Sequence, residues 1–151
     1  GNQELSGTVS IVIPTYNRIE RLSRCIHMIR QNVRCLRELI VVDGHSTDGT
    51  REFLASCDDC RCIWETSRQG AVKAFARGFR AARGEFVMWL NDDSWPLPGS
   101  VEAARDLLCR PDCVDVGMVA FYHNWHSPRN LLDRVEHEGQ SYELCHVRGY
   151  P

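Results

Sequence analysis

FVMWLNDDSWPLP, residues 86 to 98, is the stretch whose reading decides the fold. Phe86 to Leu90 is an unbroken apolar run, the pattern of a strand buried on both faces of a parallel sheet. It stops abruptly at Asn91, Asp92 and Asp93. Two carboxylates are thereby delivered to the carboxyl end of a strand, the edge along which open α/β sheets gather ligands, and a stiff Trp95-Pro96-Leu97-Pro98 segment follows. A hard divalent cation suits such a pair, because magnesium or manganese takes one or two carboxylates and completes its shell with water and substrate phosphate. The same acids also suit capping of a helix beginning near Pro98, or solvation of a turn.

Working outward, the chain alternates strand and helix. Thr8 to Ile13 is a β-branched run ended by Pro14, and Ile19, Leu22, Ile26, Ile29 and Val33 then recur at helical spacing. Glu38 to Val42 predicts a second buried strand ending at Asp43. A turn with several N-cap residues, Gly44 to Gly49, leads into a helix over Arg51 to Ser56. Cys62 to Trp64 reads as a third strand. Gln69-Gly70 opens a helix whose Ala71, Ala74, Phe75, Gly78, Phe79 and Ala82 make a mostly small-residue face suited to close packing on a sheet. Phe86 to Leu90 is then the fourth strand, Ser100 to Leu108 a helix, and Val114 to Tyr122 a fifth strand. Asn124 to Gly139 is polar and reads as loop, and Gln140 to Val147 as an edge or hairpin strand. Alternating β and α units imply a mainly parallel sheet, and the absence of repeats or linkers implies one domain over residues 1–151.

Composition narrows the function classes. A hydrophobic content of 43% with 25% charged residues is that of an ordinary globular chain with a real core. The net charge of -2 gives no general pull toward nucleic acid or anionic membrane. No apolar run approaches the roughly 18 residues of a membrane span, and the GNQELSG start is not a signal peptide. The expectation is a cytoplasmic chain, one working at the cytoplasmic face of a membrane, or an excised domain anchored elsewhere. Eight cysteines are the one odd count. CDDCRC holds Cys57, Cys60 and Cys62, but no paired CxxC units complete a four-ligand zinc set. Buried thiols suit Cys25 on its apolar stripe, and a disulfide in the cluster needs an oxidising compartment.

Three strand ends converge in such a sheet: Pro14 to Arg18, Asp43 to Asp48, and Asn91 to Asp93. An aromatic, a hydrogen-bonding acid and an acid pair can then share one cleft, which is what a nucleotide diphosphate would use. Taken singly, Tyr16 also reads as a half-buried loop aromatic and Asp43 as a helix cap. No GxGxxG follows any strand, and PTYNR is not the glycine-rich basic loop that nucleotidyl transfer requires.

PTYNR, VVDGHSTDGT, QGAVKAFARGFRAARGEF and LNDDSWPLPGSV, in that order over about residues 8 to 110, resemble the nucleotide-binding half of a family two glycosyltransferase. The resemblance implies an α/β GT-A (Rossmann-like) fold, a mainly parallel sheet with flanking helices, here with its acceptor-binding half truncated. It implies inverting, metal-assisted transfer from a nucleotide-diphosphate sugar to a sugar, lipid or protein acceptor, with Mn2+ or Mg2+ as cofactor and no nucleic-acid partner. By position, Pro14 and Tyr16 match the loop flanking the nucleobase, Asp43 the acid bonding base or ribose, and Gly70 and Lys73 the segment near the nucleotide. Asn91, Asp92 and Asp93 occupy the DXD positions, with Asp92 toward ribose or sugar and Asp93 the metal ligand. Asn91 departs from the usual first aspartate. None of Asp133, Glu136, Glu138 and Glu143 matches the family's general-base motif, so the base is unassigned. His123, Trp125 and His126 read as local packing rather than metal ligands. The alternative function is a nucleotide-sugar-binding module that does not catalyse.

Overall fold

The computed structural model describes residues 5–121, 129–137 and 139–147. They fall into two compact units, Gly1–Pro96 and Leu97–Pro151.

The first unit is built as β1 (Leu5–Thr15), α1 (Ile19–Asn32), β2 (Arg37–Asp43), α2 (Thr50–Ala55), β3 (Cys60–Trp64), α3 (Ala71–Ala81) and β4 (Gly84–Trp89). All four strands are parallel and lie in the order β3-β2-β1-β4. β1 and β2 are central and carry the core: Ile11, Val12, Ile13, Ile40, Val41 and Val42 are fully buried. α1 covers the sheet with Leu22, Cys25, Ile26 and Ile29, the spacing of one helical face. α3 packs more tightly. Its buried positions are Ala74 and Gly78, and a Cβ on Gly78 would lie 2.2 Å from Val12 Cγ1, so glycine sets the closeness of that approach.

β4 is not buried on both faces as its apolar run predicts. It has one strand neighbour among the described residues, its interior positions are only partly buried, and Trp89 is 42% exposed. Apolar composition reports a wish for cover, and position in the sheet decides how much cover there is. Phe75 of α3 supplies part of it by stacking on Trp89 at 4.4 Å between ring centroids.

Away from the strands' carboxyl ends, Glu38 ties the sheet together. Its Oε1 accepts from Ser10 Oγ at 2.6 Å and from the Arg83 N–H at 2.5 Å, and its Oε2 lies 3.6 Å from Arg61 Nη1. Ser10 Oγ in turn accepts from the Gly84 N–H. One carboxylate thus links β1, β2, β3 and the start of β4.

The second unit holds α4 (Ser100–Leu108), a single 3-10 turn (Pro111–Cys113) and an antiparallel hairpin of β5 (Arg129–His137) and β6 (Gln140–Val147). Two expectations fail here. Residues 114–121 form no strand: Val114, Val116 and Met118 are exposed, and strand backbone without a partner strand has nothing to hold it. The polar stretch around 129–137 is a strand, because its partner 140–147 follows across a turn with Gly139 at φ 78. Tyr122, His123, Trp125, His126 and Glu138 lie outside the described residues. No helix among the described residues is long and apolar enough to cross a membrane.

Candidate functional site

The loops after β1 and β2 are stitched to one another. Asn17, at φ 48, donates its N–H to Ser46 Oγ and accepts from the Thr47 N–H at 2.7 Å; the Ile19 N–H donates to Asp48 Oδ2. Asp48 also takes the Thr50 hydroxyl at 2.6 Å. Burial acts to raise the Asp48 carboxyl, but the Thr50 hydroxyl and the converging N–H groups outweigh it and hold it below the usual range. Asp48 therefore serves the starts of both α1 and α2 from outside either helix. Pro14 fits in β1 because β4 has turned away by that point. Their last pair is Val12↔Trp89, and the Leu90 N–H bonds Val12 O, so no ladder bond is lost at Pro14.

Asp43 ends β2 fully buried. It does not cap α2, whose N-cap is Gly49 without a side-chain bond. Instead Ser46 closes on it, Oγ to Oδ1 at 2.5 Å and N–H to Oδ2 at 3.0 Å, and Arg51 Nε lies 3.4 Å from Oδ2. Arg51 also reaches the Glu65 carbonyl and lies over the Trp64 ring. Glu65 follows directly as a second buried carboxylate, 3.2 Å from Arg77 Nε. The Tyr16 ring, 36% exposed, is covered by the Arg68 guanidinium at 4.6 Å.

The two acids after β4 differ sharply. Asp92 is 5% exposed, with Oδ2 accepting from Thr15 Oγ1 at 2.9 Å and Oδ1 from Arg18 Nη1 at 3.3 Å. Asp93 is about half exposed, and its Oδ2 faces Arg18 Nη1 at 3.7 Å and Arg21 Nη1 at 4.0 Å. Beneath them the Cys25 thiol, bonded to the Asn91 carbonyl, is pushed up to about 12 by burial first and by the Asp92 and Asp93 charges second. It is an inert core thiol.

The structure thus brings Pro14, Tyr16, Asp43, Asp92 and Asp93 to the carboxyl ends of adjacent parallel strands. Gly70 opens α3 at φ 88 and Lys73 is exposed on its first turn, and among the described residues neither bonds to the acids. Sequence reasoning gave no role to Thr15, Arg18, Arg21, Arg51 or Arg68. The legible signal was the spacing of Arg18 and Arg21, three residues apart where α1 begins beside the acid loop. Among the described residues no three His, Cys, Asp or Glu side chains converge as a metal set, and Cys57, Cys60 and Cys62 are thiols.

The chain is similar to known proteins. The chain is 33% identical over 137 residues to the dolichol-phosphate mannosyltransferase of Pyrococcus furiosus, covering 83% of this chain and 38% of that protein. It is 30% identical over 94 residues to glycosyltransferase AglE of Haloferax volcanii, covering 58% and 31%. Among solved structures, the mannosyltransferase PcManGT of Pyrobaculum calidifontis, in complex with GDP-Man and Mn2+, superposes with TM-score 0.61 at 29% identity, over 68% of this chain and 32% of that one. S. aureus TarS in complex with UDP-GlcNAc has the same fold, with TM-score 0.63 at 20% identity over 68% and 31%. The chain therefore spans about a third of the length of the proteins it matches. Since the model for "Glycosyl transferase family 2" runs from residue 10 to residue 147, through both stitched loops and both acids, the chain belongs to that family and has its GT-A fold.

Proposed function

We propose that these residues form the donor half of an inverting, metal-assisted glycosyltransferase that takes a nucleotide-diphosphate sugar. The observation that carries this reading is the division of labour between the acids: Asp92 is locked by Thr15 and Arg18, while Asp93 stands half exposed beside it. Asp93 fits a divalent cation as a single carboxylate, with diphosphate and water oxygens completing the shell, and the 29% identity to a mannosyltransferase solved in complex with GDP-Man and Mn2+ supports it. When bound, such a cation neutralises the charge that builds on the departing diphosphate. The protein's own part is placement. Tyr16 packs on the base, Asp43 accepts from base or ribose, Asp92 fixes the ribose or sugar side, and Gly70 and Lys73 pass near the nucleotide. An acceptor hydroxyl then attacks the anomeric carbon as its bond to the diphosphate breaks.

Calorimetry of nucleoside diphosphates with and without manganese tests the assignment. Asp93→Ala should abolish the manganese-dependent part of binding and leave the fold intact, because the residue is exposed at a strand end. Wild-type affinity of that variant in manganese would overturn the metal role. Sugar transfer by the full enzyme, against binding without turnover, separates the catalytic reading from a binding module.

A further inference from the structure

Asp93 faces two guanidinium groups at once. Arg18 Nη1 sits between the acids, 3.3 Å from Asp92 Oδ1 and 3.7 Å from Asp93 Oδ2, and Arg21 Nη1 lies 4.0 Å from the same Asp93 oxygen. Arg21 has no other salt bridge or hydrogen bond among the described residues, and its side chain is 62% exposed. Two positive charges directed at one carboxylate oxygen are the opposite of what an autonomous cation site needs. A divalent ion arriving alone at Asp93 meets their repulsion and must displace them. An ion arriving with a diphosphate does not, because the phosphate oxygens give the guanidinium groups a new anionic partner with which they pair well.

We propose that Arg18 and Arg21 make cation binding at Asp93 conditional on a diphosphate. Without nucleotide they occupy the carboxylate; with nucleotide they move to the phosphate oxygens and release it. This rests on the assignment of the cation to Asp93 and adds the coupling between cation and nucleotide. The coupling is reciprocal, since whatever factor the diphosphate adds to cation affinity the cation adds to diphosphate affinity. Arg18 and Arg21 are thus positioning residues for the donor's diphosphate, and they discriminate against ligands that bring no negative charge to the site.

The test is Mn2+ binding to the purified chain, followed by the electron paramagnetic resonance of free Mn2+, with and without GDP or UDP. Wild type should bind Mn2+ weakly alone and at least tenfold more tightly with diphosphate. Arg21→Gln should tighten Mn2+ binding in the absence of nucleotide by about three- to tenfold, the effect of one charge at such a distance in an exposed site. It should also shrink the enhancement by diphosphate. A structural role for Arg21 would give no tightening. Arg18→Gln should act in the same direction, and Arg21→Gln remains decisive if loss of Arg18 disturbs Asp92. Asp93→Asn distinguishes the two levels. If it loses Mn2+ binding while Arg21→Gln matches wild type in both states, the coupling is wrong and the Asp93 site stands. If it binds Mn2+ as wild type does, both are wrong.

Discussion

The proposed function gives Asp43 a second job, which competes with loop anchoring for one carboxylate. Ser46 and Arg51 already engage both of its oxygens, and the residue is fully buried. An ionised carboxylate has about four acceptor positions, so a ribose or base donor can still be accommodated, provided the β2–α2 loop shifts to admit it. Asp43→Ala should therefore do two things together. It removes the anchor of Ser46 and leaves Arg51 without its carboxylate, lowering the melting temperature, and it should weaken nucleoside and nucleotide alike by about 1.5 to 3 kcal/mol, with or without metal. Calorimetry and thermal melting on one variant measure both; a lowered melting temperature with unchanged affinity would leave Asp43 a loop anchor only. At this scale the sequence placed the acids at the strand ends but did not name their partners. Nothing in VVDGHSTDGT says that Ser46 rather than the α2 backbone takes Asp43, because the chain between them passes through a left-handed turn at His45, φ 75, a conformation uncommon outside glycine.

At the scale of elements, Glu38 links four strands through one side chain, and its charge is the sensitive point. Burial acts to raise its carboxyl, but the bonds from the Ser10 hydroxyl and the Arg83 and Gly84 N–H groups, with the nearby Arg61, outweigh it and hold it below the usual value. A depressed folded-state value means that the contribution is fully present above the unfolded-state carboxylate range, about pH 4.3, and is lost as pH falls through the folded value. Glu38→Gln should cost about 1 to 3 kcal/mol at neutral pH, the worth of hydrogen bonds to a charged group. The gap to wild type should narrow as pH falls below the unfolded carboxylate value, about 4.3, toward the lower folded value at which wild type loses the same charge. Urea unfolding at pH 7 and pH 3.5 reads both values, and an equal gap at both would show that the charge is irrelevant. Element existence was legible where periodicity was strong: β1, α1, β2, α3 and α4 follow from apolar spacing and punctuation. It failed for 114–121 and 129–137, because apolar alternation cannot say whether a partner strand is present to receive it, and a charged strand is recognisable only from its hairpin partner.

At the scale of the whole molecule, every residue proposed for the donor side lies within Gly1–Pro96. Of the glutamates considered for the general base, Glu136 pairs in register with Ser141 and Glu143 with Arg134 in the β5–β6 hairpin of the second unit, and Glu138 falls outside the described residues. None has a sequence match to the family's base, and the 151 residues span about a third of the matched relatives. The 151-residue polypeptide, taken as a reagent, should therefore bind a donor nucleotide sugar and hydrolyse it slowly, yet transfer the sugar poorly. Hydrolysis needs only water at the anomeric carbon once the leaving diphosphate is neutralised, whereas transfer also needs a placed acceptor and a base worth about 10² to 10⁴ in rate. Release of nucleoside diphosphate, compared with sugar incorporation into a panel of sugar and lipid acceptors, measures the two separately. Diphosphate release without incorporation is the expected result. Efficient incorporation would mean that these residues include a base, and its loss in Glu136→Gln, Glu138→Gln or Glu143→Gln would say which.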